Sequence, residues 1–363
     1  MNFLVLLLFA LSGLTGLIYE VLWRRMLSVA MGGSVYATAA VLSSFMGGLF
    51  LGSIVVGRRA DCWKNLLRAY GLFELSIAAF ALLFPTLCRG LVSLQRVLYP
   101  SIGNNHLLLT GVKFAAAFCV LLFPTFLMGG TFPLLGKFYL RTRISFGKGI
   151  ARLYSVNTGG AVTGTVLAGF LLIRTLGVRA TNLAAIALSA AVGATAIALS
   201  VGIPITPSVS LTAVRAPQTR LSCSTRRAVL IAFAKSGFTA LCYEVLWTRV
   251  LVFVVGNTTY SFAIMLSTFL AGLALGSYLF ARFLDRGKDF FLKAAVIEIL
   301  IGIFTLVGIA LTQSFYPLFE WLKGLFPSWG YFPFTLVRYA IASLALLPAA
   351  ILFGMSFPGI VAI

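Results

Sequence analysis

The chain has 363 residues, the length of two or three soluble domains, but 60% hydrophobic and only 10% charged residues with a mean hydropathy of +1.04 cannot make a soluble surface. The formal charge of +20 comes from 28 Lys and Arg against 8 Asp and Glu, so it reflects scarce acids as much as abundant bases, and it does not indicate a nucleic-acid partner. The 32 Phe and the steady supply of other apolar residues exclude disorder, collagen and small disulfide-stapled modules. What remains is an all-α, polytopic membrane bundle.

A span needs roughly 20 apolar residues to cross about 30 Å of hydrocarbon, and on that basis the sequence predicts about ten spans. They run from Phe3 to Leu22, Ser34 to Gly57, Leu67 to Leu87, Leu107 to Leu127, Gly159 to Ile173, Leu183 to Ile203, Ala228 to Leu246, Tyr260 to Phe283, Phe291 to Thr312 and Leu336 to Phe353. The fifth is short and Gly-rich. The first resembles a signal peptide in its apolar core, but no basic residue precedes it and the apolar pattern continues past Ser12, so it reads as an uncleaved helix.

Seventeen Lys and Arg fall in the even-numbered loops or at the span edges beside them, and eight, including Arg24, Arg25, Arg89, Arg96 and Arg179, in the odd ones. The positive-inside rule then places the even loops and both termini in the cytoplasm, as expected for an inner-membrane protein. The basic loops also suit contact with anionic lipid headgroups.

Residues 12 to 61 laid over residues 236 to 285, an offset of 224, give 24 identities in 50 positions. Tyr19-Glu20-Val21-Leu22-Trp23-x-Arg25 repeats as Tyr243-Glu244-Val245-Leu246-Trp247-x-Arg249, and the match includes Ser12 with Ser236 and Asp61 with Asp285. Further on, Glu74 matches Glu298 and Pro124 matches Pro348. Scattered Leu and Ala identities follow from composition, but this motif does not, so the chain contains an internal duplication. Equivalent helices lie six spans apart, an even number, which makes the repeat parallel, as in the halves of major facilitator transporters. The reading is a first half at 1–203, a cytoplasmic linker at 204–227 and a second half at 228–363. Residues 134 to 203 have no counterpart, so the second copy is expected to be about two helices short, through loss of its last spans or because the chain is one fragment of a longer product.

Charged groups within hydrocarbon are costly and demand a partner or a purpose. The candidates are Glu20, Glu74 and Lys113 in the first copy and Glu244, Glu298 and Arg338 in the second. Two roles stay open. Glu20 with Lys113, and Glu244 with Arg338, can form interhelical ion pairs that fix packing; alternatively, the acids face a shared cavity and receive a cation or proton. Arg24 and Arg25, four and five residues after Glu20, offer a local pair for that carboxylate. Trp23 and Trp247 read as anchors at the water interface, flanked by Tyr19, Arg25, Tyr243 and Arg249. Glycines four apart, Gly48 and Gly52, then Gly272 and Gly276, read as close helix contacts.

Catalytic, cofactor and metal sites are not indicated. The Gly-rich stretch from Gly147 to Gly164 fits neither phosphate-loop nor dinucleotide spacing. The five cysteines form no Cys-x-x-Cys pair, and His106 is the only histidine.

Together, Ser-Gly-x-Thr-x-Leu-x-Tyr-Glu-Val-Leu-Trp at 12–23 and again at 236–247, Gly-Ser-x4-Arg-x-x-Asp at 52–61 and 276–285, Met-Gly-Gly-Thr-Phe-Pro at 128–133 and Ala-Arg-Leu-Tyr-Ser-Val-Asn-Thr-Gly-Gly-Ala at 151–161 resemble the membrane domain of fused, spermidine synthase-like integral membrane proteins of bacteria. The resemblance covers nearly the whole chain. It implies helices that precede a soluble aminopropyltransferase-like domain, whose Gly-rich nucleotide loop and acidic catalytic residue have no counterpart in these 363 residues. The expectation is therefore a membrane module that anchors, and conducts a small amine or cation. The alternatives are a scaffold that recruits a separate soluble synthase-like subunit to the cytoplasmic face, and an inactive truncated remnant.

Overall fold

A computed structural model describes residues 2–32, 34–103, 105–140, 146–201, 223–256, 258–280, 282, 290–328 and 330–361. The described residues are helical almost throughout. They form two compact units, 1–211 and 212–363, each considered by itself below. The expected linker at 204–227 lies outside the described residues except from Cys223 onward, where a helix has already begun.

Unit 1 contains α1 (Asn2–Met31), α2 (Ser34–Arg59), α3 (Leu66–Ile102), α4 (His106–Leu140), α5 (Phe146–Val166), the single turn α6 (Ile173–Thr175) and α7 (Gly177–Val201); a π-helical turn, Leu167–Leu172, joins α5 to α6. Unit 2 contains α8 (Cys223–Val255), α9 (Thr258–Leu279), α10 (Phe290–Gln313), the short α11 (Phe315–Leu325) and α12 (Tyr331–Val361). Among the described residues, nine helices are long and apolar enough to cross a membrane. The seventh expected span lies within α8, which at 33 residues also has the necessary length.

Several helices outrun the apolar stretches that predicted them. The third expected span ends at Leu87, but α3 continues to Ile102, and the first continues from Leu22 to Met31. Charged residues end a hydrophobic stretch without breaking the backbone hydrogen-bond ladder, so Arg24, Arg25, Arg89 and Arg96 are helical rather than in loops. The breaks come from local chemistry. Gly32 and Gly256, equivalent in the repeat, both take φ of 73° just after α1 and α8, a left-handed conformation that glycine reaches without a Cβ penalty. Asn65 and Asn105 open α3 and α4 by accepting, each at 3.0 Å, from the backbone N–H groups of Arg68 and Leu108.

The duplication is visible in packing. A Cβ at Gly52 of α2 would overlap the Phe126 carbonyl oxygen of α4, and one at Gly276 of α9 would overlap the Ile351 carbonyl oxygen of α12. These tight crossings match the expected role of the repeated glycines. Around them, unit 1 buries Val5, Phe9, Val56, Leu67 and Leu134 in one apolar cluster.

A buried carboxylate shared by three helices

Glu74 is the candidate site residue that the fold surrounds most completely. It sits on α3 with 2% of its surface exposed. Ser12 Oγ of α1 donates to Oε1 at 2.5 Å, and Ser189 Oγ of α7 donates to Oε2 at 3.1 Å. Serine is short, so this geometry needs close backbones. Gly71 on α3 and Gly193 on α7 supply them: a Cβ on Gly71 would stand 2.6 Å from the Gly193 carbonyl oxygen. Gly193 lies one turn from Ser189, and Gly71 one turn from Glu74, so the crossing sets the hydrogen bond. One turn before Glu74, Tyr70 is fully buried and donates to the Leu8 carbonyl at 3.2 Å. Among the described residues, no basic side chain pairs with Glu74.

The repeat partner Glu298, on α10, keeps half of this arrangement. Ser236 Oγ donates to its Oε1 at 2.7 Å, but Glu298 is exposed. The 224-residue offset places no described residue at the position equivalent to Ser189.

Glu20 and Glu244 are both buried, at 4% and 1% exposure. Arg24, one turn after Glu20, is entirely buried, and its Nη1 donates to Thr38 Oγ1 at 3.4 Å. In the second copy Thr248 replaces Arg24, and its hydroxyl donates to the Glu244 backbone carbonyl at 2.8 Å. Glu244 Oε1 has no hydrogen-bond partner among the described residues.

The expected ion pairs do not form among the described residues. Lys113 is half-buried and lines a small pocket with Met31, Gln95 and Leu109, without bonding Glu20. Arg338 lies over the rings of Phe334 and Phe319, at 4.8 and 5.3 Å, and its Nη1 donates to the Val255 carbonyl at 3.5 Å. This aromatic cage accommodates the cation without Glu244. Phe319 belongs to α11, a helix that hydropathy did not predict.

Trp23 and Trp247 are not interface anchors. Trp23 is wholly buried, stacked on Tyr19 at 5.2 Å and packed against Phe45, Phe80 and Phe84. Trp247 is 2% exposed beside Tyr243, which in turn contacts Phe269 and Phe353. Neighbouring helices enclose these rings, so they cement the bundle instead of meeting headgroups. Arg25 is half-buried, and exposed Arg249 lies over Phe253 of its own helix at 5.4 Å.

A separate cavity of about 670 Å³ in unit 1 is lined by Met26, Leu82, Arg89, Arg179 and Asn182. Asn182 Nδ2 donates to the Ala81 carbonyl at 3.0 Å. Two arginines with Asn182 on a largely apolar lining suit an anionic headgroup, not a cation. Among the described residues no cluster of three or more His, Cys, Asp and Glu has the makings of a metal site.

The chain matches no model of a known protein family and no curated protein. Its multi-pass helical character is therefore established by the sequence and structure themselves.

Proposed function

We propose that this membrane protein holds a small cation, a proton or a protonated amine at Glu74, as a membrane module of the spermidine synthase-like type that its sequence motifs resemble. One observation carries the reading: Glu74 is buried, is bonded by neutral hydroxyls from two other helices and has no basic partner among the described residues. A carboxylate buried without a counter-charge is strongly disfavoured, whereas a bound proton or cation removes the penalty. Serine hydroxyls suit either state, since each can donate to a carboxylate or turn its lone pairs toward a cation. The position of Glu74 between α1, α3 and α7 makes occupancy sensitive to their packing, which is what a conduit requires of a site that must open and close.

Proteoliposomes containing the full chain test the reading by uptake of a radiolabelled amine and of sodium, and by proton movement followed with a pH-sensitive dye. Glu74→Gln abolishes the flux if the site is used. Equal flux in wild type and variant overturns the proposal.

A further inference from the structure

Helix α3 carries Pro85 in its interior. Proline has no backbone N–H, so the carbonyl four residues earlier, that of Ala81, loses its partner within the helix. Asn182 of α7 supplies the replacement: its Nδ2 donates to the Ala81 carbonyl at 3.0 Å. That bond fixes which end of the amide is committed, because a flipped amide would set two oxygens against each other. The other end, Oδ1, is then a free acceptor. Asn182 is 5% exposed, and its Oδ1 has no hydrogen-bond partner among the described residues. A buried acceptor in that state is disfavoured, and a donor on a bound molecule relieves it.

The same side chain lines the cavity of about 670 Å³ between α1, α3 and α7, a size within the range of roughly 300–1,000 Å³ typical of small-molecule sites. Among the described residues its walls belong to unit 1 alone. Met26, Leu82 and Leu183 make them largely apolar, Arg89 and Arg179 bring two positive charges, and no described acid is among the lining residues. Arg89 Nη2 donates to Thr86 Oγ1 of its own helix at 3.1 Å, a neutral partner. Like charges around one cavity repel, and an anion between them turns the repulsion into attraction. Arg179 lies in the first turn of α7, at the end of a helix long enough to span a membrane and so at headgroup depth. An adjoining cavity of about 390 Å³ shares Met26 and Arg89 and adds Arg96.

We infer that this cavity binds an acidic phospholipid whose headgroup carries a hydroxyl, with the phosphate against Arg89 and Arg179 and the hydroxyl donating to Asn182 Oδ1. Three features narrow the ligand to that class. The guanidinium fork matches phosphate oxygens. The free amide oxygen calls for a donor, and a hydroxyl serves where an ammonium would be repelled by two arginines. The apolar walls call for an apolar body, which a free phosphate ester lacks and the glyceryl and acyl groups of a lipid provide. Nothing in this inference depends on what Glu74 binds.

Native mass spectrometry of the full chain, delipidated in detergent, gives the affinity for three probes: dioctanoyl phosphatidylglycerol, dioctanoyl phosphatidylmethanol, which keeps the charged phosphodiester but has no hydroxyl, and glycerol phosphate, which has no acyl chains. Phosphatidylglycerol is expected to bind about 3- to 10-fold more tightly than phosphatidylmethanol, the worth of one hydrogen bond to a neutral acceptor. Glycerol phosphate binds more weakly than either lipid. The double variant Arg89→Gln, Arg179→Gln weakens both lipids about tenfold or more through loss of the charge-assisted bonds, yet keeps the preference for phosphatidylglycerol. Asn182→Leu removes that preference. Thermal unfolding monitors the fold of each variant, and where Asn182→Leu fails to fold, the wild-type preference and the arginine variant still decide the matter. Equal binding of the two lipids by the wild type overturns the inference, as does glycerol phosphate binding as tightly as phosphatidylglycerol. Lipid affinity unchanged in the arginine variant, or a preference that survives in folded Asn182→Leu, also overturns it.

Discussion

Glu74 and Glu298 occupy the same position in a duplicated sequence, and each accepts a hydrogen bond from a serine 62 residues earlier. Only Glu74 is buried. Among the described residues the difference lies in a third helix: α7 crosses α3 at Gly71 and Gly193, seals the carboxylate and adds Ser189 as a second donor. An acid's place in a helix therefore does not make a site. The covering helix does, by excluding solvent and lipid and supplying the remaining hydrogen bond.

The contrast is sharpest in transport. Glu74→Gln is expected to lower amine or cation flux in proteoliposomes by more than 100-fold, whereas Glu298→Gln changes it less than threefold. Equal losses would mean that burial does not distinguish the two acids. Glycine substitutions probe the same difference through stability. Gly13→Leu forces a side chain into Asn157 of α5 and should cost about 1–3 kcal/mol, as overpacking does. Gly237→Ala at the equivalent open position should leave stability unchanged or raise it by up to about 1 kcal/mol through helix propensity. Thermal unfolding in detergent micelles measures both.

Removing Ser189 takes away one of the two hydroxyls at Glu74. Ser189→Ala should weaken cation binding roughly 10- to 150-fold, in line with about 1.5–3 kcal/mol for a hydrogen bond to a charged group, and calorimetric titration of the purified chain gives the value. The smallest expected effect concerns the cage in unit 2. Arg338→Lys keeps the charge but loses the planar guanidinium that lies over Phe334 and Phe319, for a loss of about 0.5–1 kcal/mol. A thermal midpoint unchanged within error would show that the rings do not hold the cation.

Much of the architecture was legible before any coordinates. Hydropathy located nine of the spans among the described residues, and the repeated Tyr-Glu-Val-Leu-Trp motif exposed the duplication. The spacing of Gly48 and Gly52 anticipated a tight crossing, because four-residue spacing puts both on one helix face. The acids were also visible, since a charge in an apolar run stands out whatever the fold.

Their partners were not visible. Ser189 is 115 residues from Glu74, and no local pattern marks a serine as a carboxylate donor. The shared matches of Ser12 with Ser236 and Glu74 with Glu298 were a usable clue to the first contact. Trp23 and Arg24 were misplaced for a related reason. Hydropathy measures distance from water, and it cannot tell a residue facing lipid or headgroups from one facing another helix.

The sequence alone determined the membrane class, the helical spans and the repeated motifs, because these depend on composition and on patterns carried by the chain itself. Tertiary structure decided which charges are enclosed and by what. It joined Glu74 to Ser12 and Ser189, put Arg338 in an aromatic cage instead of beside Glu244, and bonded Glu298 to Ser236. Those outcomes depend on helix crossings between distant segments, where the absence of one Cβ sets how near two backbones come.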